Sequence, residues 1–115
     1  MEDSGRNPTI LIVEDIDWIR SGMRKAVEYQ GYSVAEATND EEAIVCAELE
    51  SIELILTEEE VPAFEALMAR LPNHPTLRSL RVAIVNPDAE AGARYGDAYI
   101  LTDYVDISSF LVTHR

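Results

Sequence analysis

Three consecutive carboxylates, Glu58-Glu59-Glu60, follow the apolar run Leu54-Ile55-Leu56-Thr57 and precede Val61-Pro62. A second acidic pair, Glu14-Asp15, follows Thr9-Ile10-Leu11-Ile12-Val13 in the same way. Carboxylates that end buried strands can attack as nucleophiles, hold a hard divalent cation, or share a proton when like charges are forced close. Each run also has a plainer role. Acids at 14–15 suit a helix N-terminus, and Glu58–Glu60 suits a solvated acidic turn. Nothing else in the chain forms a nucleophile–base–acid triad, a phosphate loop or a zinc site. His74 sits in the loop Pro72-Asn73-His74-Pro75 without metal-ligand companions, and His114 is penultimate. Cys46, the single cysteine, reads as a core residue of a helix, and Trp18 as a helix-packing or partly exposed residue.

These acids need a scaffold that carries strand ends to one edge. A chain of 115 residues with 47% apolar and 27% charged residues fits one globular domain, expected over 9–115 behind a loose polar leader, 1–8. A net charge of −13 argues against nucleic acid or anionic lipid as a direct partner. The apolar runs fall far below the roughly 18 residues of a membrane span, and the first residues lack an apolar signal core. One cysteine fits a reducing compartment, so the expected location is cytoplasmic. Strands are expected at Thr9–Val13, Ser33–Ala37, Leu54–Thr57, Arg81–Val85 and Ala98–Leu101. Between them the period turns helical. Ile16, Ile19, Met23, Ala26 and Val27 share a face ended by Gly31. Asn39 caps a helix whose apolar side is Ala43, Ile44, Ala47 and Leu49. Phe64, Leu67, Met68 and Leu71 give a third helix, and Asp106 is placed to cap a short last one. Strands alternating with helices imply a parallel sheet covered on both faces, whose C-terminal strand ends build the site.

The residues resemble the receiver domain of bacterial two-component response regulators. Thr-Ile-Leu-Ile-Val-Glu-Asp at 9–15 looks like that family's first strand and acidic pair. Ile19-Arg20, Gly31-Tyr32 and Glu41-Glu42-Ala43 sit where the family often has the same residues, and Glu53–Thr57 looks like the approach to its phospho-accepting aspartate. Pro62 follows at the family's offset. The resemblance implies an α/β, three-layer flavodoxin-like fold with a five-stranded parallel sheet in the order 2-1-3-4-5 and shortened fourth and fifth helices. It also implies a place in phosphorelay signalling.

Several positions depart from the pattern. The acceptor-equivalent position holds Glu58, and no aspartate occurs between Asp40 and Asp88. The switch-equivalent position is Asn86. The family's lysine falls on Thr102 or Asp103, depending on the count, and the only lysine in the chain is Lys25. A carboxylate one methylene too long, without its cationic partner, is poorly placed for in-line attack on a phosphodonor. The expectation is a degenerate receiver with no enzymatic activity and no required cofactor, binding unidentified signalling proteins independently of phosphorylation. Tyr95, Tyr99, Tyr104 and Phe110 form its expected partner face. Two alternatives stand beside it. One is a conventional or Glu-tolerant phospho-receiver, or another metal-dependent phosphotransfer domain; Asp15-Ile16-Asp17 is a short match to the haloacid-dehalogenase Asp-x-Asp. The other is a divalent-cation module in which Glu14, Asp15 and Glu58 weakly hold magnesium or calcium.

Overall fold

The computed structural model describes residues 9–58, 60–85, 98–101 and 104–113. Strands β1 (Thr9–Val13), β2 (Ser33–Ala37), β3 (Ile52–Glu58), β4 (Arg81–Val85) and β5 (Tyr99–Leu101) form one parallel sheet in the order 2-1-3-4-5. The described helices are α1 (Asp17–Tyr29), α2 (Asp40–Leu49), α3 (Phe64–Arg70) and α4 (Val105–Thr113); a short 3₁₀ turn, Leu71–Asn73, follows α3. This is the flavodoxin-like receiver fold that the strand pattern and the resemblance imply.

The continuous apolar runs of β1, β3 and β4 are explained by burial on both faces. Alternate residues enter opposite layers. Leu11, Val13, Ile55, Val82 and Ile84 pack with Ala43, Ile44 and Ala47 of α2 and with Phe64 and Leu67 of α3. Ile10, Ile12, Leu54, Leu56, Ala83, Val85 and Leu101 pack with Met23 and Val27 of α1 and with Ile107 and Leu111 of α4. Tyr32 ties this second layer together, its hydroxyl donating to the Leu111 carbonyl at 3.0 Å.

Local signals hold where chain chemistry alone sets them. Asn39 accepts the Glu42 amide at 2.8 Å and caps α2, while Gly31 takes φ +92°, a value that suits glycine, just past α1. Other boundaries move. α1 starts at Asp17 rather than Asp15, its N-cap is Ile16, and no side chain caps it. β3 runs longer than expected, because its pairing with β1 and β4 carries it from Ile52 to Glu58. Asp106 lies in the first turn of α4 and not at its cap. Leu49, expected on the apolar side of α2, is 80% exposed at the helix end. Cys46 is half-buried against the α2–α3 layer, its thiol directed at Glu50 at 3.7 Å. The leader 1–8 lies outside the described residues.

Candidate functional site

Sheet register places the two acidic runs side by side. β1 and β3 pair in parallel with Val13 opposite Thr57, so Glu14 and Glu58 are the next positions on adjacent strands, strands that lie about 4.8 Å apart. The Thr57 hydroxyl reinforces the register by donating to the Val13 carbonyl at 3.0 Å. Alternation then decides direction. Glu14 continues the parity of Ile10 and Ile12, and Glu58 that of Leu54 and Leu56, so both carboxyls enter the layer covered by α1 and α4.

Burial there is nearly complete: Glu14 is 0% exposed and Glu58 5%. One Glu14 oxygen accepts the Ile16 amide at 3.0 Å, and the other, Oε1, has no partner among the described residues. Burial first, then the Glu58 carboxyl beside it, pushes the Glu14 pKa up to about 8, against the lowering effect of the Ile16 amide. Near neutral pH Glu14 therefore retains its proton, and the pair carries fewer than two charges. Among the described residues, the Tyr104 hydroxyl at the start of α4 donates to Glu58. Burial and that bond push the tyrosine pKa upward, with the charges of Glu58, Glu14 and Glu60 adding to it. Tyr104 thus stays a donor. Its partnership with Glu58 is the feature that sequence reasoning missed. The available signal was position: Tyr104 follows β5, whose C-terminal end lies on the same sheet edge.

The rest of the acidic run divides by exposure. Asp15 and Glu60 face water, and Glu59 lies outside the described residues. Arg20 approaches Glu14 only through the backbone, donating to its carbonyl at 2.9 Å, while its remaining donors serve Glu36 at 2.7 Å and Asp17 at 2.6 Å. Glu14, Asp15 and Glu58 do share the edge. Among the described residues, however, no three acidic, histidine or cysteine side chains form a group able to hold a metal ion. The geometry agrees: Glu14 is fully buried, and Glu58 is engaged by the Tyr104 hydroxyl. The expected cation set of Glu14, Asp15 and Glu58 does not fit a divalent ion in this arrangement.

Of the described members of the expected partner face, Tyr104 is the exposed one. Tyr99 and Phe110 are half-buried against the α1–α4 layer, edge to face with ring centroids 4.9 Å apart. Tyr95, Asn86, Thr102 and Asp103 lie outside the described residues. Trp18, at the start of α1, is 76% exposed. It forms one wall of an apolar groove of about 300 Å³ between α1 and α4, lined also by Gly22, Met23, Ala26, Tyr104 and Ile107. No described helix is long and apolar enough to cross a membrane.

Solved structures similar to this chain include signal receiver domains and response regulators. A signal receiver domain of a histidine kinase from Syntrophus aciditrophicus is 25% identical, with 92% of this chain and 88% of that one covered and a TM-score of 0.75. A putative response regulator from Chloroflexus aurantiacus is 22% identical over 95% and 94% of the two chains, with a TM-score of 0.78. A chemotaxis response regulator of Vibrio cholerae matches at 15% identity over 93% and 98%, also with a TM-score of 0.78. No family model and no curated protein sequence matches the chain.

Proposed function

We propose that this chain is a pseudo-receiver, a protein-interaction module of bacterial signal transduction that works without phosphorylation. The observation that carries the reading is the state of Glu58. A phospho-accepting carboxylate must be reachable and backed by cations. Glu58 is nearly buried, hydrogen-bonded by Tyr104 and set against the buried Glu14 carboxyl. A phosphodonor would bring further negative charge to a pocket that no described cation answers. A permanent Glu58 charge also makes a poor imitation of acyl phosphate, having about one charge where the phosphate has nearly two. A constitutive scaffold fits better than a mimic.

The test is incubation with acetyl phosphate or phosphoramidate and magnesium, followed by intact mass. The mass should stay unchanged, and beryllofluoride should not bind tightly. A stoichiometric gain of one phosphate, lost in Glu58→Gln, overturns the pseudo-receiver reading in favour of a Glu-tolerant phospho-receiver.

A further inference from the structure

The described arginines fall into two groups. Arg20 pairs with Asp17 and Glu36, Arg24 with Glu28 and Glu36, and Arg70 with Asp40. Among the described residues, Arg78 and Arg81 pair with no carboxylate, although the chain carries a net charge of −13. Arg78 lies in the turn before β4 and Arg81 is the first residue of that strand; both are exposed. The Arg81 guanidinium stands over the Tyr99 ring, 5.9 Å from its centroid. That contact engages the face of the guanidinium and leaves its N–H donors for another acceptor.

Both arginines border a pocket of about 500 Å³ at this end of the sheet. Its apolar wall comes from Met68, Leu71, Val82 and Ala98, which pack in the α2–α3 layer. The acidic strand ends are elsewhere. Arg81 pairs in register with Leu54, four residues before Glu58, about 13 Å along the strand.

We infer that this pocket binds a small organic carboxylate, its apolar body against Met68 and Val82 and its charged group held by Arg78 and Arg81. Three properties select that class. The volume is that of a small-molecule site, in which apolar walls carry a few convergent polar groups. The planar guanidinium fork matches a carboxylate with two parallel hydrogen bonds. The field of a strongly acidic chain opposes anions at long range, so one charge answered by two arginines is favoured over a polyphosphate or nucleic acid. The inference goes beyond the pseudo-receiver reading and does not depend on it. Phosphorylation at Glu58 would end that reading and leave this pocket untouched.

The probes are naphthoate, its neutral amide naphthamide, and naphthyl phosphate, each titrated into the full chain by calorimetry at fixed salt. Naphthoate should bind at least about tenfold more tightly than naphthamide, because the arginines answer only the charged group. Arg78→Gln and Arg81→Gln should each weaken naphthoate at least about fivefold. Both side chains are exposed, so the fold should survive, which a thermal melt checks. Lys25→Gln removes the same charge from α1, outside the pocket, and should leave binding unchanged.

Methyl NMR of isotope-labelled methionines locates the probe. Met68 lines the pocket, whereas Met23 is buried in the opposite layer. Naphthoate should shift the Met68 methyl and leave that of Met23 in place. A shift at Met23 instead of Met68 overturns the inference. An equal loss in Lys25→Gln does so too, because the overall field would then suffice. Equal binding of acid and amide, unchanged binding in both arginine variants, or no binding of naphthoate at millimolar concentration has the same consequence. Tighter binding of naphthyl phosphate than of naphthoate would assign the arginines to phosphate esters and overturn the carboxylate.

Discussion

Two carboxylate clusters flank the same helix and meet opposite fates. On the β2 side, Glu36 sits between Arg20 and Arg24, and hydrogen bonds from both outweigh its partial burial and hold its pKa below the ordinary value. On the strand-end side, Glu14 and Glu58 are buried together with no described cation, and the Glu14 pKa rises to about 8. Arg20 touches both clusters but gives the second only a bond to a backbone carbonyl. The signs of the pH dependence follow. A lowered pKa such as that of Glu36 contributes stability above its unfolded value, lost as pH falls. A raised pKa such as that of Glu14 contributes stability below about 4.5 that is lost as pH climbs through about 8. One cluster is arranged for the fold. The other costs the fold something near neutral pH, because a buried carboxyl beside another resists ionisation.

The largest effect that separates the clusters should come from Glu14→Gln. A neutral amide removes the ionisation penalty, so unfolding free energy at pH 8 should rise by about 2–4 kcal/mol. Near pH 4.5 the gain should vanish. Melts at both pH values check this, and an equal gain at each would mean that packing, not charge, is responsible.

Next in size is Arg20→Ala. It deprives Glu36 and Asp17 of a partner and leaves the Glu14 carbonyl short of a donor, which should cost about 1–3 kcal/mol in urea unfolding. Arg20→Lys should recover only part, since one ammonium cannot span the fork that the guanidinium occupies. Full recovery would show that charge alone matters there.

Tyr104→Phe should cost about 1–2 kcal/mol, because a buried carboxylate loses a strong donor. Combined with Glu58→Gln it should cost less than the sum of the two changes. Strict additivity in that double-mutant cycle would mean that the Tyr104–Glu58 bond contributes nothing. The smallest effect is reserved for Glu36→Gln. A partly exposed ion network should lose less than about 1 kcal/mol, and the loss should shrink further in high salt. A larger, salt-insensitive loss would erase the contrast between the two clusters.

The sequence by itself determined the local grammar of this protein. Thr9–Val13, Ser33–Ala37 and Arg81–Val85 are strands at the expected bounds, because short apolar runs bounded by turn residues have few other uses. Asn39 and Gly31 act as cap and stop through their own side-chain and backbone chemistry. The order of elements also carried the resemblance and, with it, the sheet order that the structure bears out. What only the tertiary structure decided is which acid is buried. Glu14 and Asp15 are neighbours with the same chemistry, yet one is sealed in the α1–α4 layer and the other faces water. A strand buried on both faces has no alternation of polarity to announce its two sides, so the direction of Glu14 and Glu58 stays hidden until register and helix packing fix it. Tyr104 was equally illegible as the partner of Glu58. The two are 46 residues apart, and only the parallel sheet brings the ends of β3 and β5 to the same edge.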